Sequence, residues 1–155
     1  MSQNEFLRHT ISTIAYRFQK SVRKRNRNFG EFNLGKGART PIEIINHIYH
    51  ALNAAKLFIQ DGEFQKSEPK KLSLILEIER FNSELDEVEK LLSEKKIELN
   101  FSKKLLQGPF SGILSHIGQI SMISRLNGNP IDGEDFSSSA ISTGTTSYFE
   151  NEKIT

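Results

Sequence analysis

Two of the four histidines in this chain of 155 residues fall where helical spacing calls for an aliphatic side chain. His116 lies in SGILSHIGQISMISRL, with Ile113 three residues before it, Ile120 four after and Ile123 seven after. That is the spacing of one inward helical face. An imidazole there is a packed core histidine, a metal ligand or an acid–base group. His47 follows Ile44 by three residues and precedes Ala51, Ala54 and Phe58 by four, seven and eleven. This predicts an inward or semi-inward face lined by small residues, with room beside the ring. Glu77 follows Leu74 by three and precedes Phe81 and Val88 by four and eleven, which puts it on the edge of its stripe. Read alone, Glu77 is a solvated edge residue. Read with two imidazoles from different helices it completes a donor set suited to zinc, nickel or iron, so His47, His116 and Glu77 are the candidate metal ligands. Glu43, one turn before His47, is the other nearby carboxylate. Gln119 lies one turn past His116, while His50 is angled away and His9 falls near the start of its helix.

Other chemistries find no residues to carry them. The chain has no cysteine, which excludes disulfides, thiolate zinc sites and a cysteine nucleophile. No phosphate-cradling glycine motif, no His-Glu-x-x-His and no nucleophile-elbow serine occurs. A net charge of +2 creates no global attraction for nucleic acid. The one basic cluster, RKRNRN at 23–28, lacks interleaved aromatics and reads as a solvated helix end, which makes nucleic-acid binding the minor reading. No apolar stretch reaches the length of a membrane span or a signal segment, so the expectation is a soluble, cytoplasmic protein.

The elements that must position these residues are helices. Leu7, Ile11, Ile14, Phe18 and Val22 make one stripe. After the glycine-rich loop FGEFNLGKGARTP, Thr40-Pro41 with Glu43 predicts a capped helix start, and Ile42, Ile45, Tyr49, Leu52, Ala55 and Ile59 carry it to QDG. Ile75, Ile78, Phe81, Leu85, Val88 and Leu92 form a third stripe. ELNFSKKLLQGP is expected to break the pattern, with Pro109 starting a fourth helix from Phe110 to about Leu126. The result is an all-α four-helix bundle. Residues 1–155 read as a single domain with an irregular C-terminal extension from about Gly128, either a lid over the pocket or a surface tail.

AYRFQKSV, ARTPIEIINHIYHAL, LLQGPFSGILSHIGQISMISRLNGNPIDGEDF and AISTG resemble the DinB/YfiT-like superfamily of bacterial metalloenzymes, most closely an uncharacterised branch. The resemblance spans about Ala15 to Gly144. It implies an up-down-down-up bundle, frequently a homodimer, with a divalent metal on three histidines. It also implies a thiol-dependent transferase or hydrolase acting on a small molecule with a low-molecular-weight thiol. Carried over residue by residue, the first metal histidine is His47 and the last is His116, but the position four before His116 is Gly112. The expectation is therefore a metal-dependent enzyme with an incomplete triad. The alternative is a non-catalytic binding module that has lost its site.

Overall fold

A computed structural model describes residues 3–63 and 67–150, and every regular element in them is helical. α1 is Gln3–Val22, and all five of its expected stripe residues are buried. α2 is Pro41–Asp61. Thr40 caps it reciprocally with Glu43, and Gly62 closes it in the left-handed conformation (φ 79°) that a side chain would resist. α3 is Leu74–Glu94. Ile78, Phe81, Leu85, Val88 and Leu92 face inward as expected, whereas Ile75 is about half exposed at 49%. A near-heptad stripe drifts around a 3.6-residue helix, and at its first turn the inward place belongs to Glu77.

The fourth helix begins earlier than its sequence suggests. α4, Leu99–Leu105, passes through a π turn at Leu106–Phe110 into α5, Ser111–Leu126. Pro109 lies inside the wide turn rather than at a helix start. Proline has no N–H to give and its ring crowds the carbonyl one turn back, and a π turn relieves both demands without ending the helix. Leu105, Phe110 and Ile113 stay fully buried across the junction, so its apolar face is continuous.

Contacts between side chains fix how the helices run. Asn4 reaches Leu92, Arg8 pairs with Glu89 and the Phe18 and Phe81 rings meet at 4.5 Å, so α1 and α3 are antiparallel. Asn46 bonds Glu77 and Asn53 bonds Glu84, so α2 and α3 are parallel. His47 meets His116 while Phe58 stacks on Phe101 at 4.1 Å, which makes α2 antiparallel to α4 and α5. Both α1 and α2 pack against α3 and α5, which places α1 and α2 across the bundle from each other. A parallel α2–α3 pair needs a connection that returns along the bundle. Asn46 Nδ2 donates to the carbonyls of Pro69 (3.4 Å) and Lys70 (3.2 Å), so the returning chain is held against the start of α2.

The segment after α5 runs over α1 and α3. Lys20, 5% exposed, donates to the Asp132 carbonyl at 2.7 Å and pairs with Glu134. Gln19 takes the Tyr148 N–H at 2.7 Å, and Ser12 Oγ accepts from Gly144 N. Tyr16 packs against Phe136, Tyr148 and Phe149. RKRNRN is drawn into the same region: the Arg23 guanidinium lies over Phe149, Arg25 bonds the Val22 carbonyl, and Asn26 bonds the Asn127 carbonyl. Among the described residues no helix is long and apolar enough to cross a membrane.

The Lys20 ammonium, with Ser139 and Tyr16 also donating, holds the Glu134 carboxyl down to about 2. A lowered folded-state pKa means the unfolded chain binds protons first, so this stabilisation is complete above the ordinary carboxylate range and is lost as pH falls toward that value. Melting temperature should therefore drop less between pH 4.5 and 2 in Glu134→Gln than in the parent. Equal drops would remove this ion pair from the account of acid stability.

Candidate functional site

His47 and His116 come together. Their ring centroids are 4.7 Å apart and the planes meet edge to face at 88°. Neither ring is enclosed: both are half-buried at the seam between α2 and α5. The expectation that His116 faces the core is corrected in this respect. Ile113, Ile117 and Ile120 fill the interior, and the imidazole stands at the border of that stripe, where α5 turns toward solvent.

Gln119 sets the state of His116. Nδ1 lies 2.9 Å from Gln119 Oε1. An amide oxygen only accepts, so this contact is made by a protonated Nδ1, and in the neutral ring that tautomer leaves the lone pair on Nε2. His47 makes no hydrogen bond among the described residues. Its pKa lies below the ordinary histidine value, first because burial disfavours the charged ring, then through the positive charge of Arg39 and the neighbouring His116 and His50, with Glu68 acting in opposition. A neutral imidazole with an open lone pair is therefore the resting form near neutral pH.

Glu77 is placed elsewhere. It is 0% exposed, against the expectation of a solvated edge residue. Oε2 accepts from Asn46 Nδ2 at 3.0 Å and from Leu72 N at 2.9 Å, and Oε1 pairs with Arg80 at 2.7 Å. Both oxygens are thus engaged in joining α2, α3 and the returning connection. Glu43 is likewise engaged, its Oε1 accepting from Thr40 N at 3.0 Å. Among the described residues no group of three or more His, Cys, Asp or Glu is arranged to hold a metal ion. The structure brings the two imidazoles together and leaves Glu77 out of their company.

Glu77 belongs to a ladder that sequence reasoning missed. Asn53 Nδ2 donates to Glu84 at 2.6 Å, and Lys56 pairs with Glu84 and Glu87 at 2.8 and 2.9 Å. Burial raises the Glu84 carboxyl first, with the hydrogen bond to Glu87 adding to it, against the opposing pull of Lys56 and Asn53. The readable signal is paired spacing: Asn46 and Asn53 are seven apart on α2, as are Glu77 and Glu84 on α3.

Beside the histidines lies a cleft of about 480 Å³, lined by Leu34, Arg39, Ile44, Gln119, Met122 and Ile123 among others. Gln119 is the common wall between this cleft and His116. The cleft lies where the loop before α2 faces α5. Comparison with protein-family models, with curated proteins and with solved structures finds no match for the chain.

Two outcomes follow. Glu77→Ala leaves Arg80 and Asn46 without their buried partner and should lower the unfolding free energy by about 3 kcal/mol in a denaturant titration. A loss below about 0.5 kcal/mol would show the ladder to be dispensable. In a proton NMR titration the His47 midpoint should fall below that of a free histidine, and Arg39→Gln should move it upward. No movement would separate Arg39 from the ring electrostatically.

Proposed function

We propose that this chain is a DinB-like bundle protein whose His47–His116 pair takes a divalent ion (zinc, nickel or iron) and serves a metal-dependent transfer or hydrolysis. One observation carries the reading. Two imidazoles from different helices converge at a half-buried seam beside an open cleft, with His116 Nε2 and the His47 ring unclaimed by hydrogen bonds among the described residues. The cross-helix pairings support the bundle type, since α1 and α5 run one way and α2 and α3 the other. The donor set fits an ion at two positions and leaves the rest to solvent and substrate, so selectivity falls to the surrounding shell.

A bound ion would supply a Lewis acid at the edge of the cleft. The chain's own residues prepare the site. Gln119 fixes the His116 tautomer, and burial with the Arg39 charge keeps His47 unprotonated. The chain has no cysteine, so a low-molecular-weight thiol would enter as a cosubstrate. A homodimer in the cytoplasm completes the reading.

Gly112 and the full engagement of Glu77 favour a second reading, a binding module that has lost its metal. Gly112 also makes the two separable, because a Cβ there would meet nothing within 4 Å. Calorimetric titration with zinc and with nickel should give one ion per chain for the parent and none for His47→Ala/His116→Ala. Gly112→His should tighten binding at least tenfold, about 1.4 kcal/mol. Absence of binding in the parent, with binding restored by Gly112→His, would establish the second reading. Absence in both would overturn the metal site altogether.

A further inference from the structure

The cleft beside the histidines is mostly apolar, but its walls are unequal in character. Ile44 and Ile123 form a buried floor, and Leu34 and Met122 stand at the rim with 42% and 57% of their surfaces exposed. Of the described residues lining it, Arg39 alone is charged. Arg39 makes no ion pair or hydrogen bond among the described residues. Glu43, whose carboxylate feels the Arg39 charge, directs Oε1 to the Thr40 N–H at 3.0 Å instead. Gln119 gives its oxygen to His116 and keeps both amide N–H groups for another acceptor.

The loop that forms the outer wall is held in a costly shape. Gly35, Lys36 and Gly37 are consecutive left-handed residues, with φ of 81°, 57° and 78°. Ala38 N closes the turn on the Gly35 carbonyl at 3.1 Å. A lysine in that conformation costs about 1 kcal/mol, and such strain gathers at ligand clamps. The turn leads through Arg39 into Thr40, the N-cap of α2.

We propose that the cleft binds a small carboxylate with an apolar body. The carboxylate pairs with Arg39 and the Gln119 amide, and the hydrocarbon lies between Leu34 and Met122 over Ile44 and Ile123. This names a substrate class for the site proposed above and rests on that reading for its chemistry. Recognition itself uses only these residues and needs no metal. A carboxylate offers Arg39 a planar, two-oxygen partner, and an apolar tail covers rim surface that is otherwise open to water. A cationic or fully polar ligand would leave one of the two walls unmatched.

The probes are hexanoate, hexan-1-ol and hexylamine, titrated into the whole chain and followed by amide chemical shifts, once in chelator and once with zinc. Hexanoate should move Ala38, Arg39, Gln119 and Met122 and bind at least about fivefold more tightly than hexanol, the size of one partly exposed ion pair. Hexylamine should not bind there. Arg39→Gln should bring hexanoate down to the level of hexanol, and Met122→Glu should weaken both. Each substitution is at an exposed position, so folding is preserved and unchanged circular dichroism verifies it. Equal affinities for hexanoate and hexanol, or hexanoate binding that survives Arg39→Gln, would overturn the proposal. Hexanoate binding in chelator by a chain that takes no zinc would uphold it while removing the metal reading. Zinc binding without a hexanoate response would do the reverse.

Discussion

Between α2 and α3 two carboxylates are buried, Glu77 with no exposed surface and Glu84 with 3%, and each is met by an asparagine from the facing helix. Taking a charge out of water costs several kcal/mol unless its oxygens are all satisfied. That demand fixes the axial register of α2 on α3, since a slide of one residue would separate both pairs at once. It fixes rotation as well. Asn46 must face α3, and on a helix the next residue points about 100° away. His47 is therefore turned to the α5 side by the residue before it. Packing alone would specify this less sharply, because aliphatic faces tolerate small shifts that a pair of buried carboxylates does not.

The same constraint explains why Glu77 and the histidines are separate devices. On α3 its carboxylate faces the ladder and the returning connection, where Leu72 N completes its shell. On α5 the polar residues near His116 have a different task. Gln119 fixes a tautomer and borders a cleft. Polar groups that look alike along the chain thus serve either assembly or recognition, according to which seam they enter.

How much was legible in the sequence follows from which forces are local. The α2 start at Thr40-Pro41 and its end at Gly62 were readable because capping chemistry is complete within a few residues. The stripe of α1 was readable for the same reason, yet burial of Ser12, Gln19 and Lys20 was not. Those residues are covered by a segment more than a hundred positions later, and no local period encodes that. The meeting of His47 with His116 was foreseen in kind from inward spacing, whereas their half-buried position depends on where two helix borders happen to touch. Glu77 was misplaced because a lone carboxylate at a stripe's edge looks solvated until its asparagine partner on another helix is known. Pro109 misled because a proline ordinarily marks a beginning, and only tertiary packing across Leu105 and Phe110 shows a helix continuing through it.

The π turn at Leu106–Phe110 is geometrically an α-helix that has accepted one additional residue. Each residue turns a helix by about 100°, so everything beyond Phe110 is rotated by that amount relative to an uninterrupted continuation of α4. Gly112, His116 and Gln119 all lie past this point. Without the extra residue the imidazole would swing away from α2, and a different side chain would stand opposite His47. The meeting of the two rings is thus the result of a one-residue phase change upstream, and a lineage that gained or lost that residue would gain or lose the pair in a single step.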